Sequence, residues 1–172
     1  EKFDFSPYQT LCDIGGATGL LSIEVAKNHP HLRCLSFDLP PVEPIAKSHI
    51  AAAGMEDRVA TAAGDFFKDP LPKADVITMG MILHDWNLEK KKHLIRAAYD
   101  ALPPGGAFIA VEALIDDARR ELGQQRVHEA LVDAHVSVDH EDRAIVNVED
   151  RERVLNVAQL AVVLQRIGRE PA

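Results

Sequence analysis

The sequence predicts an α/β fold built on a mostly parallel, doubly wound sheet. Three observations carry that prediction. Short apolar runs alternate with helical patterns from residue 10 to about residue 112. A glycine-rich turn, Asp13-Ile14-Gly15-Gly16-Ala17-Thr18-Gly19, joins the first such run to the first helical pattern. Polar residues, namely Asp13, Asp38, Asp65, His84 and Glu112, fall at or just past the ends of successive apolar runs. Strand–helix alternation with short connections implies a parallel sheet covered on both faces. Such sheets take ligands outside the carboxyl ends of their strands, where these five side chains are expected to meet.

The elements follow in order. Thr10–Ile14 is a strand that stops at two glycines. Leu20–Asn28 spaces Leu21, Val25 and Ala26 as a helix does, and Pro30 ends it. Arg33–Phe37 is a strand ending at Asp38, and Val42–Ala53 a helix closed by Gly54. Val59–Ala63 and Ala74–Met79 are strands. Leu88–Leu102 is an amphipathic helix stopped by Pro103-Pro104-Gly105-Gly106, and Ala107–Val111 is a fifth strand ending at Glu112.

From Ala118 the character changes: there is no Phe, Tyr, Trp or Lys, and Arg takes the basic positions. Val136–Val138 and Ala144–Val148 are expected to form a hairpin, and Glu149–Ile167 an amphipathic helix. No final antiparallel pair is assigned to the sheet. The expected organisation is a cofactor-binding domain over 1–121 and an atypical segment over 122–172, either divergent or frame-altered.

Composition limits the partners. The chain has 172 residues, a net charge of −8 and 47% apolar content. That is the profile of one globular domain and argues against nucleic-acid or anionic-membrane binding. No apolar run reaches the roughly 18–20 residues of a transmembrane helix, and the N-terminus has no secretory pattern. Cys12 and Cys34 sit in strand-like runs and are expected to be reduced and buried, which suits a cytoplasmic protein.

Glycines at Gly15 and Gly16 let backbone approach a nucleotide-like ligand closely. Asp38, about 20 residues further on, can accept hydrogen bonds from both hydroxyls of a ribose; the alternative is a turn or helix-capping residue. These features serve an NAD-dependent dehydrogenase as well as a methyltransferase.

Longer motifs separate the two. Leu11–Gly19 is similar to the first methyltransferase motif, with Ala17 where glycine is usual. Phe37-Asp38-Leu39-Pro40 resembles a ribose-binding strand end, and Gly64-Asp65-Phe66-Phe67 a segment that holds adenine. With Ile82-Leu83-His84-Asp85-Trp86 and Ala101-Leu102-Pro103-Pro104-Gly105-Gly106, the chain resembles the plant caffeate and bacterial small-molecule O-methyltransferase family over residues 3 to 121. The resemblance implies a Rossmann-like class I methyltransferase sheet with S-adenosylmethionine as cofactor. It places Asp13, Gly15, Gly16, Asp38, Leu39, Asp65, Phe66, Asp85 and Trp86 around that cofactor. It implies a small, aromatic hydroxyl acceptor, no metal, and homodimers among full-length relatives, which carry an N-terminal dimerisation domain not expected here.

Methyl transfer to oxygen needs the acceptor held in line and its proton removed. Imidazole titrates near neutrality, so His84 is the expected base, the role the resemblance also gives it. Glu112 is expected to orient it, since a carboxylate on the far ring nitrogen selects the tautomer and stabilises the imidazolium. The plainer alternatives are a helix-start histidine, a solvated carboxylate at 112, a core tryptophan at 86, and Asp85 as the cap of the helix at Leu88. The Lys90-Lys91-Lys92 run is expected to be a solvated helix face. A truncated remnant without activity, or a cofactor-binding module, is the competing reading of the whole chain.

Overall fold

The computed structural model describes residues 3–113, 145–146 and 159–165. The strands are β1 (Thr10–Ile14), β2 (Arg33–Asp38), β3 (Val59–Ala63), β4 (Val76–Gly80), β5 (Ala107–Ala113), β6 (Ile145–Val146) and β7 (Gln159–Gln165). The helices are α1 (Leu20–Asn28), α2 (Glu43–Ala52) and α3 (Leu88–Ala101), with a single 3₁₀ turn at Leu83–Asp85. One sheet takes all seven strands in the order β3-β2-β1-β4-β5-β7-β6. The first five pair in parallel, and β7 runs antiparallel to both β5 and β6.

Alternation along the strands divides the core into two layers. Leu11, Cys34, Val59, Val76, Ala107 and Ile109 face α1 and α2 and pack with Ile23, Ala26, Ala46 and Ile50. Cys12, Ile14, Phe37, Ile77, Met79 and Phe108 face the other way and pack with Leu94, Ala98 and Ala101 of α3. Leu94, Ala98 and Ala101 recur at helical spacing, which buries one stripe of α3 and leaves its lysines outside. Asp75 joins the feet of the central strands: its Oδ2 accepts from the backbone N–H of Gln9 and Thr10, and its own N–H donates to Thr10 Oγ1.

The strand order reverses between β1 and β4, so a crevice opens above their carboxyl ends. This matches the expected crevice. The expected ending does not hold. Residues 159–165 form a strand, not part of a helix over Glu149–Ile167, and the sheet does close with an antiparallel pair. The run Leu160-Ala161-Val162-Val163-Leu164 is short, apolar and partly β-branched, and periodicity alone does not distinguish a strand from a helix in such a run. The open edge of β5 supplies seven registered partners and decides the matter. The strand expected at 144–148 is present as β6, paired to β7; Val136–Val138, its expected partner, lies outside the described residues. Cys12 and Cys34 are buried free thiols on neighbouring strands.

Candidate active site

The glycine loop rises from β1 and turns into α1. Gly15 has φ +73°, and a Cβ there would collide with Ile82. A Cβ on Gly16 would collide with Ser36 Oγ. Gly15 is favoured by its left-handed backbone, and at Gly16 the Asp13 carboxylate and carbonyl, at 3.1 and 3.2 Å, crowd the position further. The N–H groups of Gly15 and Gly16 donate to Phe37 O at 2.8 and 3.3 Å, tying the loop to the end of β2.

Asp38 ends β2 beside this loop. Its Oδ2 accepts from Ala17 N–H at 2.8 Å and its Oδ1 from Leu39 N–H at 2.7 Å. The carboxylate is thereby fixed between the loop and the turn, with lone pairs left on each oxygen. The turn role is real, and it orients the group without saturating it. Leu39 is exposed beside it.

Asp13 lies lower. It is 4% exposed, and its Oδ1 accepts from Thr78 Oγ1 at 2.7 Å. Burial pushes its carboxyl up to about 6; the Thr78 hydroxyl pulls the other way and the Asp38 charge adds to the rise. Asp13 therefore sits beneath the loop, whereas Asp38 stands beside it. Thr78 had no place in the sequence reading. Period-two alternation gives its side of β4, and only the register of β1 with β4 sets it opposite Asp13.

Asp65 follows β3. Its Oδ1 accepts from Phe67 N–H at 3.0 Å and its Oδ2 pairs with Lys68 at 2.8 Å. Lys68 leads the interactions that hold its carboxyl below the usual range. Phe66, Phe67 and Trp86 form one aromatic group, with Trp86 edge-on to Phe67 at 4.7 Å and to Phe66 at 6.2 Å. Lys90 lies over the Trp86 ring at 4.3 Å. One member of the lysine run thus makes a cation–π contact rather than simply facing water. Trp86 is packed edge-on against both phenylalanines of this segment.

His84 stands in the 3₁₀ turn after β4, 41% exposed. Its Nδ1 donates to Glu112 Oε2 at 2.8 Å. Glu112 Oε1 accepts from the N–H groups of Ile82 and Leu83 at 3.1 and 2.8 Å. One half-buried carboxylate at the end of β5 thus pins the backbone of the turn and the ring it carries. Glu112 is no solvated turn residue. Asp85 does not cap α3: that cap is Asn87, whose side chain accepts from Lys90 N–H at 3.1 Å. The helix begins at Leu88, so the capping position is 87 and Asp85 lies too early. Its Oδ1 is instead 3.2 Å from His84 Nε2, a pairing open only to the imidazolium. Met81, between β4 and this turn, has φ +58°, a conformation uncommon for a non-glycine residue.

The residues fit an S-adenosylmethionine-type ligand. The cradle has no room for a Cβ, Asp38 is preset at a strand end, and the buried Ser36 Oγ lacks a partner beneath the cradle. Among the described residues no three His, Cys, Asp or Glu side chains converge to hold a metal, and no helix is long and apolar enough to cross a membrane.

Residues 1–149 match the family described as an O-methyltransferase domain. The chain is 44% identical over 117 residues to the tetracenomycin polyketide synthesis 8-O-methyl transferase of Streptomyces glaucescens, covering 68% of this chain and 34% of that protein. It is 37% identical over 166 residues to the N,N-dimethyltransferase OxyT of Streptomyces rimosus, covering 91% of this chain and 48% of that one. The chain thus spans a third to a half of the length of these relatives. Human N-acetylserotonin methyltransferase, solved in complex with SAM, superposes with a TM-score of 0.73 at 28% identity, over 96% of this chain and 50% of that one.

Proposed function

The chain belongs to the O-methyltransferase domain family, and from that premise we propose that it carries the cofactor crevice and the base of an enzyme that methylates a hydroxyl oxygen of a small, aromatic acceptor. The cofactor is S-adenosylmethionine, which when bound supplies a methyl group already activated on a positive sulfur. Gly15 and Gly16 admit the ligand to the backbone, Asp38 takes the ribose hydroxyls, Asp65 with Phe66 takes the adenine, and Leu39, Asp85 and Trp86 border the crevice. In the neutral ring, whose Nδ1–H faces Glu112, His84 accepts the acceptor's hydroxyl proton at Nε2, and the imidazolium so formed can then pair with Asp85. Glu112 holds the ring through Nδ1 and balances the imidazolium that forms. Residues 1–121 act as the cofactor-binding unit of a cytoplasmic enzyme, whose full-length form we read as a homodimer.

The observation that carries this reading is the Glu112 carboxylate. It bridges two backbone N–H groups and His84 Nδ1, at the strand ends that flank the crevice. A carboxylate with only a packing role has no need of the imidazole. Calorimetry with S-adenosylhomocysteine and with NAD tests the cofactor assignment: binding of the first and not the second is expected, and the reverse would restore the dehydrogenase alternative. Single-turnover methyl transfer to a panel of phenols tests the chemistry. An aromatic amine in the same panel tests for a nitrogen acceptor, the chemistry named for the relative that aligns over 91% of the chain. Methylation of amines alone would replace oxygen with nitrogen in this reading.

A further inference from the structure

The buried polar or charged residues among those described are Asp13, Ser22, Ser36 and Thr78. Three of them form one row across the sheet. Asp13 on β1 is registered with Ser36 on β2 and with Thr78 on β4. Alternation turns all three toward the layer of α1, where Ser22 is buried as well. The row runs directly under the glycine loop: Asp13 Oδ2 lies 3.1 Å from where a Cβ of Gly16 would stand, and Ser36 Oγ meets the same position.

The row is incomplete. Thr78 satisfies Asp13 Oδ1, and no described residue donates to Oδ2. Ser36 Oγ, on a residue 2% exposed, has no hydrogen-bond partner among the described residues. No cation among the described residues pairs with Asp13. On β2, Asp38 is a second carboxylate and Cys34 a thiol pushed up to about 11 by burial; beside Asp13 on β1, Cys12 is pushed up to about 12. On α1, Glu24 and Lys27 pair with each other at the surface. On α2, Glu43 pairs with Lys47 and His49 is exposed. A buried carboxylate is costly without a positive partner. The cation missing here matches the one feature by which the methyl donor differs in charge from its product, a positive sulfur.

Resting on the cofactor reading above, we infer that Asp13, set by Thr78 and Ser36, is a buried counter-charge that makes the crevice hold the cationic donor more tightly than the neutral thioether product. Donor and product share adenine, ribose and amino-acid ends, so the ratio of their affinities isolates this effect. At an effective dielectric near 20, one charge pair within the crevice changes that ratio by about tenfold. Protonating Asp13 removes the effect. Its carboxyl titrates near 6 by burial, so the preference is present at neutral pH and fades in mild acid.

Calorimetric titration of this chain with S-adenosylmethionine and with S-adenosylhomocysteine between pH 5 and 7.5 tests the inference. The donor-to-product affinity ratio is expected to fall about tenfold from pH 7.5 to pH 5. Asp13→Asn should flatten the ratio. Thr78→Val, a conservative change for a strand, should move the fall to higher pH by withdrawing the hydroxyl that favours the ionised form. His84 also borders the crevice, so His84→Gln serves as the control and should leave most of the fall in place. A ratio independent of pH, or a fall that survives Asp13→Asn and vanishes in His84→Gln, overturns the inference while leaving cofactor binding intact. Failure of either ligand to bind at any pH defeats the cofactor reading itself, and the inference with it.

Discussion

Two ends of one crevice handle their carboxylates in opposite ways. Under the glycine loop, Asp13 is 4% exposed and, among the described residues, has one hydroxyl donor and meets no cation. Past β4, the Glu112 side chain is 15% exposed, accepts from two backbone N–H groups and holds a ring that can become positive. The first arrangement leaves a buried carboxyl without a positive partner among the described residues. The second places a carboxylate where a charge appears only when His84 takes a proton. On the proposed function the difference separates binding from proton transfer, and variants at the two ends should therefore fail in different assays.

The largest effect is expected at His84. His84→Ala should lower the single-turnover methylation rate by roughly 10²–10⁴ and leave S-adenosylhomocysteine affinity nearly unchanged. Full activity in this variant, with an acceptor of ordinary phenolic pKa, would mean that proximity alone carries the reaction. Next comes Glu112, where Glu112→Ala strands two N–H groups and the imidazole. A stability loss of about 2–4 kcal/mol and a large rate loss are expected together in denaturation and kinetic measurements. Glu112→Gln keeps an acceptor for one of those groups and should lose less in both. No rate loss in Glu112→Gln would show that the carboxylate serves shape and backbone hydrogen bonding alone.

At the other end the sign of the stability change reverses. The Asp13 carboxyl is raised from 3.8 to about 6 in the folded chain. The folded state therefore binds the proton more tightly than the unfolded state does. Stability falls as pH rises from about 4 to about 6 and stays lower above that, by a cost on the order of 2–3 kcal/mol. Asp13→Asn should remove much of that cost, stabilising the fold at pH 7 and changing little at pH 4. Urea denaturation at both pH values measures it, and an Asn variant less stable at pH 7 than at pH 4 relative to wild type would contradict the assignment. The smallest effect belongs to Asn87, which only starts α3. Asn87→Ala should cost about 0.5–2 kcal/mol with no change in ligand affinity; a loss of affinity would tie the helix start to the crevice.

Much of this was legible before any coordinates. Gly15 and Gly16, Asp38, His84 and Glu112 stand in short motifs at the ends of apolar runs, and the first five strands follow from alternation. Three things were not legible. Asp85 was a plausible cap by residue type, yet the backbone starts the helix at Leu88 and gives that place to Asn87. Residues 159–165 had no periodicity strong enough to separate strand from helix, and the exposed edge of β5 decided. Thr78 and Ser36 look like ordinary strand residues until register sets them on either side of Asp13.

By itself the sequence determined the alternation of strands and helices, the glycine loop and the chemical types at the strand ends, because these depend on local periodicity and backbone sterics. Only the tertiary structure decided which carboxylate is buried and which is balanced. Burial, register and the distance between strands sixty-five residues apart in the chain, such as those carrying Asp13 and Thr78, are set by how the sheet assembles, and a carboxylate's charge state follows from those surroundings rather than from its neighbours in sequence.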